Sequence, residues 1–229
     1  MNERHRVKRL TLLRYVLAFP RSVWLNFRLL PYRQACRLPL LVSHRTKIHN
    51  LSGHIVLHAD RLRVGLVKIG FSTCQQTDFR YHRPLLNIRG TLHILGECTV
   101  GAGASIEVSE HGVLTLGDHF NLGPSSLIVC NYQITFDDHV QTSWCCTLMD
   151  TDQHRLFGSD GNWCNPDRPI QVAHHVWLGC HVVVTKGTVL PPHTTVGAMS
   201  CLHGVFEEEH TVIGGNPAKV LRCGVTREW

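Results

Sequence analysis

The sequence has no long hydrophobic run, and we expect no secretory leader. Its longest apolar stretch near the N-terminus, LTLLRYVLAF from Leu10 to Phe19, is short and is interrupted by Arg14. A membrane-spanning helix needs about 20 apolar residues, and no small-residue cleavage site follows this stretch. We therefore expect an N-terminal amphipathic helix that packs on the protein body or lies on a membrane surface, and we prefer packing.

Acidic residues are fewer than basic ones, and nucleic-acid motifs are missing. The chain has 17 Asp and Glu residues against 23 Lys and Arg residues, and many of the basic ones fall within the first 45 positions. No element combines basic and aromatic residues as nucleic-acid modules do, so we expect no nucleic-acid partner. The basic N-terminus is a candidate for peripheral contact with anionic lipid, although a solvated basic arm is commoner.

The ten cysteines lack the spacing of a disulfide framework or a zinc site. They are scattered through 229 residues, without a CxxC pair, mostly where a small residue would serve. This pattern predicts free thiols in a reducing cytoplasm. With 43% hydrophobic and 17% charged residues, the composition is typical of a folded domain with one substantial core.

What the sequence does contain is a six-residue repeat. Read in sixes from Val172, it gives VAHHVW, LGCHVV, VTKGTV, LPPHTT and VGAMSC. The fifth position is small or β-branched, and the first is always aliphatic: Val172, Leu178, Val184, Leu190, Val196 and Leu202. A helix needs a period of 3.6 and a flat strand a period of two. Weaker copies occur upstream at Val100 and Ile106, at Leu116, Leu122 and Ile128, and at Phe136, Thr142 and Leu148.

A period of six is typical of a triangular coil, in which each side is a short strand followed by a corner. The aliphatic residues then stack in the core on their equivalents from neighbouring coils. We predict an all-β parallel β-helix over residues 46–204, with a polar loop at about 149–171 where the phase is lost. Residues 1–45 form a basic, partly helical N-terminal segment, and residues 205–229 form a tail that folds back on the β-helix.

Several motifs in a fixed order give the chain a family resemblance. The hexads, the loop sequence DTDQH, the VWLG corner, the VGAMS coil and the GGNPAKVLR tail span roughly residues 50–224. Together they resemble the hexapeptide-repeat acyltransferases, whose fold is a left-handed parallel β-helix. The similarity is greatest to O-acetyltransferases of surface polysaccharide assembly, relatives of the galactoside and maltose acetyltransferases. It implies a homotrimer with acetyl-CoA as co-substrate between adjacent solenoids, acting in the cytoplasm or at the inner face of the membrane.

The resemblance also implies a catalytic base in the loop. His154 ends DTDQH and matches the position of the family's catalytic histidine, and Asp150 or Asp152 could orient its imidazole. Histidine suits this role because its pKa lies near neutrality. The alternative is that DTD is a hydrophilic turn and that His154 is solvated.

Further positions are implied to bind the acetyl-CoA. Trp177 in VWLG matches a groove-lining tryptophan, or else caps a hydrophobic edge. Gly179, Cys180 and Ala198 match positions where the backbone lies close to the pantetheine arm. The cations implied for its phosphates are Lys186, Lys219 and Arg222.

The sequence departs from the family pattern at two places. His203-Gly204 stands where many relatives have a Thr-Lys pair, which weakens one phosphate contact. Ser126 stands about where galactoside relatives have an acceptor-binding asparagine, which argues against a simple galactoside acceptor. We expect a saccharide or a nucleotide- or lipid-linked sugar as acceptor.

Three rival functions stay open. A sugar N-acyltransferase would use the same base and groove. A gamma carbonic anhydrase-like metalloenzyme would need histidines that converge across a trimer interface, whereas we expect no metal. A catalytically silent solenoid would bind no acetyl-CoA. Six further histidines are expected at structural corners or on the outer surface, namely His119, His139, His174, His175, His181 and His193.

Overall fold

A computed structural model gives the structure of the chain. It describes the backbone of residues 3–228 except positions 60, 73, 75, 76, 79 and 80, and the side chains of the same positions from residue 13 onward. Two helices, α1 (Glu3–Leu29) and α2 (Tyr32–Ala35), precede a series of short strands. The strands form three sheets that follow one another in rotation along the chain, apart from the last two strands, which both belong to the first of these sheets.

The three sheets are the faces of a triangular prism. Sheet A has the spatial order β1 (Leu40–Val42), β4 (Val67–Ser72), β7 (Cys98–Gly101), β10 (Phe120–Leu122), β13 (Gln141–Thr142), β16 (Trp177–Leu178), β19 (Thr195–Val196), β21 (Val212–Gly215) and β22 (Ala218–Arg222). Sheet B has the order β2 (Lys47–Leu51), β5 (Leu85–Ile88), β8 (Ser105–Val108), β11 (Leu127–Cys130), β14 (Thr147–Met149), β17 (Val183–Val184) and β20 (Cys201–Leu202). Sheet C has the order β3 (His54–Leu57), β6 (Thr91–Ile94), β9 (Val113–Leu116), β12 (Gln133–Phe136), β15 (Ile170–Val172) and β18 (Val189–Leu190). Neighbouring strands are parallel, apart from the final hairpin of β21 and β22.

The hexad prediction is confirmed. Val172 pairs with Leu190 in sheet C, Leu178 with Val196 in sheet A, and the third pair lies in sheet B. All six first-position residues are buried, and so are the small fifth-position residues Val176, Val182, Thr188, Thr194 and Ser200. Eighteen residues therefore make one coil, and each aliphatic side chain packs on its equivalent one coil away.

The upstream repeats lie in the same core, and their irregular spacing has one structural cause. We name the three corners of the prism edge AB, edge BC and edge CA, after the sheets that they join. From Cys98 onward, the extra residues of the upstream coils, such as 109–112 and 131–132, all fall at edge BC. The largest insertion, residues 150–169, leaves the same edge. In this part of the chain, edge BC is thus the corner that accommodates additional residues, whereas the longer connections 58–66 and 73–84 of the first coils join sheets C and A and sheets A and B.

Helix α1 covers the exposed end of sheet A. Its Asn26 side chain donates to the carbonyl of Leu40 (2.7 Å) and accepts from the amide of Leu40 (3.0 Å), and Ser22 Oγ accepts from the amide of Val42 (2.9 Å). These side chains replace the strand that β1 lacks on its outer side, so the open sheet edge is satisfied. The predicted packing of the N-terminal helix agrees with these contacts.

Both ends of the β-helix extend beyond the predicted boundaries. Strand β1 (Leu40–Val42) already pairs with β4 within the segment assigned to residues 1–45. At the other end, β21 continues sheet A beyond residue 204 by pairing with β19, and β22 folds back on it. The chain then returns along sheet A, where the Arg227 guanidinium lies over the Trp177 ring at 4.7 Å.

Two further sequence predictions concern thiols and membrane spans. All ten cysteines are free, and burial raises the pKa of Cys98 to about 12 and that of Cys146 to about 11. These buried thiols act as small core side chains. Among the described residues, no helix combines the length and the apolar character that crossing a membrane requires.

Candidate functional site

The insertion at edge BC folds into a short hairpin. Phe157 and Trp163 form an antiparallel bridge, and the amide of Cys164 donates to the carbonyl of Leu156 (2.9 Å). The Arg155 guanidinium lies 4.9 Å from the centre of the Trp163 ring. The hairpin exposes Leu156, Phe157 and Trp163, so its tip offers apolar surface beyond the solenoid.

Asn165 fastens the base of this hairpin. Its Nδ2 donates to Asp152 Oδ2 and to the carbonyl of His154, both at 2.8 Å. Its Oδ1 accepts from the amide of Leu156 (2.7 Å) and from the indole nitrogen of Trp163 (2.9 Å). One amide side chain therefore fixes both arms of the hairpin, including the backbone of His154.

Asp152 links the hairpin to the next coil. The ammonium of Lys186 donates to Asp152 Oδ2 (2.6 Å) and to the carbonyl of Asn165 (2.9 Å). The hydrogen bonds from Lys186 and then Asn165 hold the pKa of Asp152 below its usual value. Lys186, which the resemblance implied as a phosphate ligand, instead lies under the loop as an anchor of Asp152.

Asp150 is buried, and its carboxylate accepts hydrogen bonds from backbone amides. Its carboxylate accepts from the amides of Asn131 (2.7 Å) and Tyr132 (2.9 Å), which form the corner of the preceding coil. Burial raises the pKa of Asp150, while these backbone donors oppose the rise. Among the described residues, no hydrogen bond joins the His154 imidazole to Asp150 or Asp152. The contacts therefore do not support the prediction that either carboxylate orients His154.

A polar cavity of about 350 Å³ lies between the hairpin and the outer face of sheet B. His154 is exposed and lines it. Guanidinium, carboxylate, amide and hydroxyl groups surround the same space, which is lined by Arg89, Glu107, Ser109, Val129, Asn131, Thr151, Gln153, Arg155, Trp163, Asn165 and Asp167. Donors and acceptors at this density match the hydroxyl groups of a sugar.

Four of the predicted cofactor residues come together at edge AB. Gly179 and Cys180 turn this corner directly after Trp177, and Ala198 turns it one coil later. A Cβ atom on Gly179 would lie 2.8 Å from the amide nitrogen of Ala198, so only glycine allows the two coils to approach this closely. Ala198 is exposed, and the Trp177 indole donates to Ser143 Oγ (3.2 Å).

The remaining predicted residues lie elsewhere. Lys219 and Arg222 are exposed on β22 at the C-terminal end of sheet A. Ser126 is buried at edge AB, where its Oγ donates to the carbonyl of Ser143 (3.2 Å) and accepts from the amide of Cys146 (3.1 Å). Because Ser126 points away from solvent, it does not bear on the choice of acceptor. One chain therefore places the loop group (Asp150, Asp152, His154 and Lys186) and the edge AB group at different corners.

Sequence reasoning missed Asn165 and most of the cavity wall. Glu107 and Val129 lie between inward-facing neighbours on the outer side of sheet B, although Val129 is only 6% exposed, and Arg89 follows β5 at edge BC. Strand alternation predicts this side for Glu107 and Val129, but nothing in the sequence says that the hairpin covers these residues. Asn165 was visible only as one polar residue of a polar loop.

Comparison with known proteins finds relatives that are named as acetyltransferases. No family model matches the chain. It is 23% identical to an uncharacterized 24.8 kDa protein in the cps region of Klebsiella pneumoniae, over 87% of this chain and 86% of that one. It is 24% identical to the putative lipopolysaccharide biosynthesis O-acetyl transferase WbbJ of Escherichia coli K12, over 80% and 94% of the two chains. It is 28% identical to the galactoside O-acetyltransferase of the same organism, over 54% and 63%.

A solved structure with the same fold is among the matches. The polySia specific acetyltransferase NeuO matches 83% of this chain and 78% of its own with a TM-score of 0.60, at 14% sequence identity. The predicted left-handed parallel β-helix is thereby confirmed. The order of motifs and the relatives named as acetyltransferases support the predicted resemblance to the hexapeptide-repeat acyltransferases.

Proposed function

We propose that the chain transfers an acetyl group from acetyl-CoA to a sugar hydroxyl during surface polysaccharide assembly, in the cytoplasm. The observation that carries this proposal is the polar cavity that His154 shares with outward residues of sheet B. A saccharide, free or linked to a nucleotide or lipid, suits its mixture of donors and acceptors. The relatives named for lipopolysaccharide biosynthesis and for a galactoside support the same class of acceptor.

In this mechanism His154 acts as the general base. Its imidazole accepts the proton of the acceptor hydroxyl while the oxygen attacks the thioester carbonyl. The carbon–sulfur bond then breaks, and the departing thiolate of CoA takes the proton back from the imidazolium. Asn165 holds the His154 backbone, and the Lys186–Asp152 pair holds Asn165, so these residues position the base, and of the three only Asn165 also lines the cavity.

An acceptor screen with thiol-release detection tests this function. Acetyl-CoA is offered with neutral sugars, amino sugars and nucleotide sugars, and the amino sugars test the N-acyl alternative. We expect His154→Ala to lower the turnover rate by about 10²–10⁴-fold with little change in the KM for acetyl-CoA. His54→Ala, at an exposed histidine in β3, is the control. Wild-type turnover in His154→Ala would overturn the mechanism, and no thiol release with any acceptor would overturn the activity.

We further propose that the active site is completed between adjacent chains of a homotrimer. The loop group and the edge AB group lie at opposite ends of the strands of sheet B, and four residues of strand extend roughly 13 Å. A neighbouring chain that brings its edge AB against the hairpin would unite both groups. The apolar tip at Leu156, Phe157 and Trp163 supplies surface for this contact.

Complementation between two defective chains tests the shared site. His154→Ala removes the base and Ala198→Trp blocks the opposite corner, so each variant alone is inactive. If the groups meet across chains, coexpression restores part of the activity, because some sites receive an intact residue from each chain. A lack of restored activity in demonstrably mixed trimers would contradict the arrangement, and so would a mass other than three chains in sedimentation equilibrium.

A last part of the proposal concerns the outer face of α1. Opposite the side that covers sheet A, the helix exposes an apolar stripe: Leu13, Val16, Leu17, Trp24 and Phe27. Beside it, four cationic side chains surround a concave surface, namely Arg21, Arg45, Lys47 and Arg83. Apolar and cationic groups side by side suit the interface of an anionic membrane, so we propose that α1 rests on the inner membrane face.

Vesicle sedimentation tests this contact. We expect binding to vesicles with 30% anionic lipid, and weaker binding to zwitterionic vesicles or at high salt. The double variant Trp24→Ala/Phe27→Ala should lose binding, whereas Leu221→Ala, an exposed apolar residue at the other end of the solenoid, should keep it. Equal recovery of both variants with the vesicles would refute the assignment.

A further inference from the structure

Edge CA carries a column of stacked histidines that the acyl-transfer mechanism does not use. One histidine turns this corner in each of five successive coils: His119, His139, His175, His193 and His210. Neighbouring ring centres lie 4.8, 4.7, 5.0 and 4.5 Å apart along the column. All five residues have a left-handed backbone, with φ between 55° and 59°, a conformation in which histidine is enriched among non-glycine residues.

At one level the column gains an extra imidazole. His174 precedes His175 in the same coil, and its ring is almost perpendicular to those of His175 (89°) and His193 (86°). The Nδ1 atoms of His174 and His175 are 3.1 Å apart. One ring nitrogen each from His174, His175 and His193 lie within 4.8 Å of one another.

From this cluster we infer a binding site for a divalent transition-metal ion, formed by His174, His175 and His193 at edge CA. Three imidazole nitrogens are a donor set that Zn²⁺, Ni²⁺ and Cu²⁺ prefer. Zinc–nitrogen bonds of about 2.0–2.1 Å in a tetrahedron separate the nitrogens by roughly 3.4 Å. The His174–His175 pair is already near that separation, and rotation of the partly exposed side chains brings in the third nitrogen.

The site lies away from the proposed catalytic groups and would join two coils. His174 and His175 belong to one coil, and His193 to the next, eighteen residues after His175. A bound ion would therefore clamp consecutive coils near the C-terminal end of the solenoid. Because such an ion binds the folded state in preference to the unfolded chain, it should raise the melting temperature.

Zinc titration of the full chain, purified without a polyhistidine tag and stripped with a chelator, tests the site. We expect one Zn²⁺ per chain by calorimetry and by elemental analysis after dialysis, and a zinc-dependent rise in Tm. His174→Ala and His193→Asn should each weaken binding by tenfold or more, since asparagine tolerates the left-handed backbone at residue 193.

Two controls separate the cluster from the other histidines. His119→Asn changes a column member with the same backbone conformation but outside the cluster. His93→Ala breaks the pair in which His58 Nε2 and His93 Nδ1 are 3.0 Å apart. Both controls should bind zinc like the wild-type chain. A wild-type chain that binds no zinc, or unchanged binding in both cluster variants, would overturn the inference.

Discussion

The contact between Asn26 and strand β1 gives the sharpest test of how helix α1 satisfies the open edge of sheet A. Asn26 is fully buried, and its side chain satisfies both the amide and the carbonyl of Leu40. In Asn26→Ala both backbone groups lose their partner in a place that water does not reach. Each unpaired group costs about 1–3 kcal/mol, so we expect the free energy of unfolding to fall by about 2–5 kcal/mol.

Urea unfolding followed by tryptophan fluorescence and circular dichroism measures this loss. With a slope of about 1–3 kcal/mol/M, the midpoint should fall by about 0.7 M or more. Asn26→Leu keeps the volume but not the hydrogen bonds and should lose a similar amount. Phe27→Ala, on the exposed side of α1, should stay within about 0.5 kcal/mol of the wild type. The reasoning fails if Asn26→Leu is as stable as the wild type, because packing would then account for the contact.

Three further predictions concern the hairpin and the core. Asn165→Ala removes four hydrogen bonds at the hairpin base. We therefore expect turnover to fall about 10-fold or more, amide hydrogen exchange to become faster over residues 154–165, and the Tm to change little. Unchanged hydrogen exchange would contradict this role of Asn165. The pKa of Asp152 is lowered in the folded protein, so the ionised Asp152 stabilises the hairpin above the ordinary aspartate pKa, and this stabilisation is lost as the pH falls through the lower folded value. In the wild type, Trp163 fluorescence should therefore report loosening of the hairpin below about pH 4. Lys186→Met should show no such step. Leu178→Ala removes a fully buried side chain from the repeat and should cost about 2–5 kcal/mol in urea unfolding, whereas Thr195→Ala, on the outer side of sheet A, should cost less than 1 kcal/mol.

The fold could be predicted from the sequence because each coil repeats the same local pattern of short strands and corners. Each short strand with its corner must bury one aliphatic side chain at every sixth position. Buried residues such as Leu178 and Val184 can therefore be identified from the local sequence pattern alone. The contacts that close the solenoid have no such repeat. Asn26 satisfies a strand fourteen residues later, and Arg227 covers Trp177 across 50 positions, so only the three-dimensional arrangement reveals them.

The position of the loop could be predicted from the sequence, but the contacts within the candidate site could not. The loss of phase after Leu148 located the hairpin, and the histidine in it lines the cavity. Asp150 was misread as a partner of His154 because the alternation of β14 was not continued far enough. Leu148 faces inward and Met149 outward, so the next residue faces inward again and its carboxylate meets the backbone of the preceding corner.

The spacing of the hexads also bears on where acetyl-CoA could lie. In a coil of eighteen residues, positions about six apart occupy successive corners, and positions eighteen apart occupy the same one. Gly179 and Ala198 are nineteen apart and share edge AB, whereas Lys186 is seven beyond Gly179 and falls at edge BC with the hairpin. No rotation of side chains moves a residue from one corner of a packed prism to another. A single chain therefore holds His154 and the small-residue corner apart, which supports the proposal that a second copy brings its edge AB against the hairpin.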